Sequence, residues 1–164
     1  MTASTPAPGG SSVGFLLSQL GYATSRAFRE TLAPTGLEPR QFALLRLISQ
    51  QQGRSQQAVA DALQIPASRM VALLDDLEER GLLERRAVAA DRRARALHLT
   101  ARGRALLNKA WQLALASEQR TCAGLSPAQR DTLLDLLRRV AANYSLNLAV
   151  HPGLVDGHPG CPEQ

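Results

Sequence analysis

The chain has 164 residues, 45% apolar and 4% aromatic, with a net charge of +5. That length suits one domain with its own core, and leucine and alanine carry the apolar share, which favours helices over strands. No apolar run approaches the roughly 18 residues of a membrane span, no secretory signal opens the chain, and Cys122 and Cys161 are too scattered for a disulfide framework, so a cytoplasmic protein is expected.

Residues 1–11, rich in Pro, Gly, Ser and Thr, predict a disordered tail. Ser11 or Ser12 then caps a helix reaching about Leu32, with Val13, Leu16, Leu17, Leu20, Ala27 and Phe28 at helical spacing, and Pro34 and Gly36 end it. Pro39 opens a second helix carrying Phe42, Leu44, Leu45, Leu47 and Ile48, which Gly53 closes. Ser55 caps a short third helix with Ala58, Val59, Ala62 and Leu63 on one side. Pro66 fits the first turn of a fourth helix that runs to Arg80 and stops at Gly81, with Met70, Leu73, Leu74 and Leu77 as its apolar stripe.

Leu82–Ala87 and Ala94–Leu99 alternate weakly around a polar tip, the pattern of a hairpin. Thr100 caps a fifth helix that reaches about Cys122 and ends at Gly124, and Ser126-Pro127-Ala128-Gln129 is a capping box for a sixth. Leu133, Leu137, Val140 and Tyr144 give the sixth helix a seam suited to helix-on-helix packing. The order is four helices, a hairpin and two helices. The predicted fold is therefore mostly α: a winged helix-turn-helix of about six helices plus a two-stranded wing.

Charge is concentrated at the hairpin. Between Arg85 and Arg104 stand seven arginines and the single acid Asp91, a net +6 in a chain of net +5. One basic patch on a compact domain is the electrostatic footprint of a polyanion. The N-terminal turn of the fourth helix, with Ala67, Ser68, Arg69 and Ala72, is the part of a helix-turn-helix that meets base edges in the major groove. Arg69 suits either a bidentate contact to guanine or a phosphate. Arg85, Arg86, Arg92 and Arg95 suit phosphate contacts, which set register without reading sequence, and Ser55 suits either its cap or a phosphate. The acids Asp75, Asp76, Glu78 and Glu79 must turn away from DNA, onto a solvated face or into pairs with nearby arginines.

The chain resembles the MarR family of bacterial transcriptional regulators over roughly residues 13–147. The resemblance is carried by Gly36–Leu45, Ser55–Leu63 and Leu77–Arg85, and above all by Asp91-Arg92-Arg93 followed by Leu97-His98-Leu99-Thr100-Ala101-Arg102-Gly103. Two positions depart from the family pattern. Gln64 stands where the turn usually has glycine, and Arg69-Met70-Val71-Ala72 stands where members often carry Thr-Val-Thr-Arg.

The resemblance implies a homodimer held by N- and C-terminal helices (12–34 and 100–148), with a reader at 35–99 and a flexible tail at 149–164. It implies double-stranded DNA with a pseudo-palindromic operator as partner, and repression relieved by a small aromatic carboxylate or phenolic ligand. Arg93 matches the wing position that enters the minor groove, and Asp91 can brace it. Ser18, Tyr22, Arg26 and Arg29 share a polar stripe of the first helix, and the resemblance places a ligand near Ser18, Tyr22 and Arg26; ordinary surface or dimer contacts are the alternative. Trp111 lines that cavity or packs in the core.

No enzyme arrangement, cofactor motif or metal-ligand spacing is present in the sequence. The competing functional readings are a winged-helix protein-interaction module and a redox-responsive regulator acting through Cys122.

Overall fold

The computed structural model describes residues 12–63, 65–88 and 91–144, with the side chains of Ala67, Val88 and 91–94 outside that description. The predicted tails, Gln64, residues 145–148 and the tail histidines lie outside the described residues. The described chain forms α1 (Val13–Leu32), a single 3-10 turn (Ala33–Thr35), α2 (Pro39–Gln50), α3 (Gln56–Leu63), α4 (Ala67–Glu79), β1 (Leu83–Val88), β2 (Asp91–Leu99), α5 (Ala101–Thr121) and α6 (Pro127–Ala142). This is the predicted order of helices and hairpin.

Local chemistry sets the boundaries. Ser12, Ser55, Thr100 and Ser126 each accept a hydrogen bond from the backbone N–H three residues on, satisfying a donor that the first helical turn leaves open. Pro66 takes an extended ψ of 138° and stands at the cap of α4, so the helix starts at Ala67, one residue later than its proline suggests. At the other end of α4, Gly81 adopts a left-handed φ of 67°. Its N–H donates to the Glu78 carbonyl (2.8 Å) and the Leu82 N–H to the Leu77 carbonyl (2.9 Å), the two bonds of a Schellman ending.

The core gathers one face from each reader element: Leu44, Leu45 and Ile48 of α2, Val59 and Leu63 of α3, Met70, Leu74 and Leu77 of α4, and Leu83, Leu97 and Leu99 of the strands. Leu107 and Ala110 of α5 and Leu32 of α1 close it. The two strands pair antiparallel from Leu83↔Leu99 to Ala87↔Arg95. The loop before α3 joins the wing's base: the Gly53 N–H donates to the Leu97 carbonyl (2.9 Å), the Leu97 N–H to the Arg54 carbonyl (2.9 Å), and Ser55 bridges Ala96.

The wing departs from the prediction at its tip. Strand β2 begins at Asp91 instead of Ala94, and the register shifts so that Val88 faces Asp91. Residues 92–94 thus have no counterpart on β1. They form a bulge in the backbone ladder, an irregularity of register beyond Ala87.

The long helices leave their apolar faces uncovered within one chain. Helix α6 buries none of its residues; Leu133, Leu134, Leu136 and Leu137 are all exposed, as are Val13, Phe15, Leu16 and Leu20 of α1.

One crossing joins the reader to α5. The Thr100 N–H donates to the Leu82 carbonyl (3.2 Å), and the Thr100 hydroxyl donates to the Gly81 carbonyl (2.8 Å). A Cβ built on Gly103 would overlap the Leu82 carbonyl oxygen, a backbone atom that cannot swing aside. Gly103→Ala is therefore expected to destabilise the fold by roughly 3 kcal/mol, as overpacking against an unyielding wall does. Urea denaturation checks this, and wild-type stability in the variant would mean the crossing is looser than described.

Candidate nucleic-acid interface

Helix α4 has two opposed faces. Met70, Leu74 and Leu77 are fully buried, which turns Ser68, Arg69 and Ala72 outward on the N-terminal turns, where all three are exposed. The structure thus brings together three of the four residues predicted to meet base edges. Ala67 starts the same turn, with its side chain outside the description.

Three of the four acids of α4, Asp75, Asp76 and Glu78, pair with arginines. Asp76 receives a hydrogen bond from Gln41 Nε2 (2.6 Å) and lies 3.5 Å from Arg80 Nη1, while Arg80 Nη2 donates to the Gly36 carbonyl at 3.0 Å. Gln41 Oε1 in turn accepts from the Glu38 N–H at the start of α2 (2.8 Å). This network fastens the C-terminal half of α4 to the N-terminus of α2.

Arg85 is placed differently from its neighbours. Its two terminal nitrogens lie 2.6 Å from Asp75 Oδ1 and 2.6 Å from Glu78 Oε2, and its side chain is only 18% exposed. The predicted phosphate contact has to be set against this engagement with α4. The signal was available in the strand alternation: Arg85 shares a face with Leu83, and the register puts Leu97 opposite it. Arg86 projects from the other face, exposed and 2.5 Å from Glu84.

Arg95 is exposed midway along β2, facing Ala87. Asp91, Arg92 and Arg93 lie in the β2 backbone at the bulge, and the proposed Asp91–Arg93 brace falls on side chains outside the description. The Ser55 hydroxyl oxygen caps α3, accepting from the Ala58 N–H at 3.1 Å.

Of the predicted ligand residues, Ser18 and Tyr22 are exposed on α1. Arg26 pairs with Glu30 one turn on (2.9 Å), and that hydrogen bond, with the carboxylate's charge, raises the guanidinium's pKa above its ordinary value. Trp111 instead lines a cleft of about 210 Å³ between α2 and α5, with Arg46, Ser49, Gln50, Leu107 and Asn108.

The Trp111 ring stacks on Phe42 (centroids 6.2 Å apart), Phe42 meets the edge of Phe28 (5.8 Å), and the Arg46 guanidinium sits 5.1 Å from the Trp111 centroid. Arg46 escaped the sequence reading because a cation over a ring at this separation in sequence leaves no local pattern. A second, open groove of about 510 Å³ between α1 and α5 is lined by Ala27, Glu30, Thr31, Ser117, Arg120 and Thr121.

Cys122 is a free, half-buried thiol at the end of α5, its Sγ 3.9 Å from Glu118 Oε1. Among the described residues no group of three or more His, Cys, Asp or Glu could hold a metal ion, and no helix is long and apolar enough to cross a membrane.

Comparisons with known proteins agree with this geometry. The MarR family model matches residues 35–94, the reader and most of the wing. A protein of Thauera aromatica described as a transcriptional regulator of the hcr operon is 36% identical over 129 residues, 78% of each chain. The solved structure of the transcriptional repressor CouR bound to a 23-mer DNA duplex is 37% identical, with a TM-score of 0.71 over 79% of this chain and 92% of that one. CouR from Rhodococcus jostii RHA1 bound to p-coumaroyl-CoA is 33% identical, with a TM-score of 0.68 over 84% of this chain and 94% of that one. With an α4 that turns its polar N-terminal face outward and a wing set beside it, this chain belongs to the MarR family, whose matched members are transcriptional regulators.

Proposed function

We propose that the protein is a homodimeric DNA-binding repressor released by a small aromatic or anionic ligand. The observation that carries the DNA reading is the exposed turn Ser68, Arg69 and Ala72 beside an arginine-rich wing on the same rigid core. Two such readers grip half-sites about one helical turn apart. Ala67, Ser68, Arg69 and Ala72 face base edges, Arg93 enters the minor groove with Asp91 steadying it, and Arg86, Arg92 and Arg95 contact phosphate.

The dimer reading rests on the uncovered leucines of α6 and α1. Leu133 and Leu137 are 41% and 40% exposed in the single chain, and apolar stripes of this kind mark an interaction surface. A second copy covers them by a symmetric contact, the commonest arrangement of soluble oligomers. Ser18, Tyr22 and Arg26 lie on the exposed part of α1 and are assigned to that contact.

The ligand reading moves to the cleft over Trp111. An aromatic body packs on Trp111 and Leu107 while its carboxylate or phenolate meets Arg46. The complex of CouR with p-coumaroyl-CoA supports an aromatic effector in this family.

In a gel shift with DNA from upstream of the protein's own gene, Arg93→Ala should weaken binding by tenfold or more, on the order of 1.4 kcal/mol. Binding by wild type should fall steeply with salt, and wild-type affinity in the variant would sink the minor-groove assignment. Leu137→Asp should shift the sedimenting species from dimer to monomer. If it stays dimeric, the α6 seam is not the interface. Titration with p-coumarate and related aromatic acids should quench the single tryptophan, Trp111, in wild type and far less in Arg46→Ala; equal quenching in both would remove Arg46 from the site.

A further inference from the structure

We propose that Arg85 is a positioning residue for the DNA reader, fixing the base of the wing against α4 through Asp75 and Glu78. This rests on the DNA-binding reading above. Asp75 and Glu78 stand three residues apart, neighbours on one helix face. Glu78 holds Arg85 twice, one carboxylate oxygen accepting from the side chain at 2.6 Å and the other from the backbone N–H at 3.2 Å. Asp75 takes the remaining terminal nitrogen at 2.6 Å. Helix α4 and strand β1 are thereby joined through a backbone group and through both ends of a planar guanidinium, a fork that resists rotation as a single point charge does not.

The position makes this joint a lever. Asp75 follows Ala72 by three residues, so the anchor begins about 4.5 Å along the helix axis from the base-facing turn. The wing extends from Arg85 in the other direction. From Arg85 to Val88 the strand runs about 10 Å, so a 10° rotation at Arg85 moves that end by roughly 2 Å, enough to break a hydrogen bond. The joint therefore sets whether the wing and the recognition helix can reach adjacent grooves together. A direct phosphate contact by Arg85 would require it to leave two carboxylates beside a polyanion.

The two roles predict opposite signs. If Asp75 and Glu78 merely sat near DNA, removing their charge would relieve repulsion and tighten binding. If they hold the joint, removing them weakens binding although the protein becomes more positive.

The test uses the full chain and a duplex from upstream of its own gene, with Glu78→Gln and Asp75→Asn/Glu78→Gln as variants. Glu78 is 39% and Asp75 56% exposed in their side chains, so neither change opens the core. Expected is a loss of affinity of about 5-fold for the single variant and 10-fold or more for the double, typical of a coupled pair. The slope of log affinity against log salt should stay at its wild-type value. In the free protein, amide exchange at Arg85 should accelerate in Glu78→Ala, which removes the side-chain oxygen that its N–H donates to.

Tighter or unchanged DNA binding by either variant overturns the proposal. So does an Arg85→Ala variant whose salt slope falls by about one, the signature of a lost phosphate contact. Failure of the wild-type chain to bind the duplex overturns the DNA reading and the positioning role with it, whereas the exchange measurement still reports whether Glu78 holds β1.

Discussion

The structure depends on the backbone crossing at Leu82. Its N–H closes the Schellman ending of α4 on Leu77, and its carbonyl receives the Thr100 N–H and lies against the bare Cα of Gly103. One residue thus serves the end of α4, the approach to the wing and the first turn of α5. Leu77, Leu82 and Leu83 are all buried there, so the joint is dry as well as tight. A movement of α5 cannot leave the reader behind, because packed backbone does not deform continuously. That is the physical content of the Thr100–Gly103 motif: the hydroxyl caps a helix and spans to Gly81, and the glycine admits the carbonyl.

From that joint, the division of labour along α4 follows. Its N-terminal turns carry Ser68, Arg69 and Ala72 outward, while its C-terminal turns carry four acids. Four negative charges within five residues repel one another, and the fold compensates three of them with named partners: Arg85 for Asp75 and Glu78, and Arg80 for Asp76. The acids also orient the helix, since Asp76 bonds Gln41 of α2 while Asp75 and Glu78 reach the wing. Helix α4 is held on two sides by polar contacts and on a third by leucines.

Much of this was legible in the sequence because it is local. Caps at Ser12, Ser55, Thr100 and Ser126 and breaks at Gly53, Gly81 and Gly124 depend on neighbours within a turn, and the apolar stripe of α4 follows from helical period alone. What escaped was non-local or needed a register. Counting Arg85 as one more member of a basic patch ignored the alternation that puts it on the face of Leu83. The bulge at 92–94 needs the pairing of Val88 with Asp91, which composition does not encode. Arg46 meets Trp111 from another helix, far along the chain.

Helix α2 connects the two polar regions of the molecule. Near its C-terminal end, Arg46 lies over Trp111 and helps line the cleft; at its N-terminal end, Gln41 holds Asp76 of the recognition helix. Phe42, Leu44, Leu45 and Ile48 pack the same helix against the core, so it has little room to bend. Phe42 also stacks beneath Trp111 and abuts Phe28 of α1. The N-terminal end of α2 is bonded directly to Asp76 of α4. Because Gln41 is buried and its amide has a charged acceptor, a shift of α2 must either carry Asp76 along or break that bond and strand a buried donor, which costs about 1–3 kcal/mol. Carrying α4 along costs less if its anchorage to the wing moves with it, and that condition makes the contacts of Arg85 and Asp76 parts of a single mechanical unit.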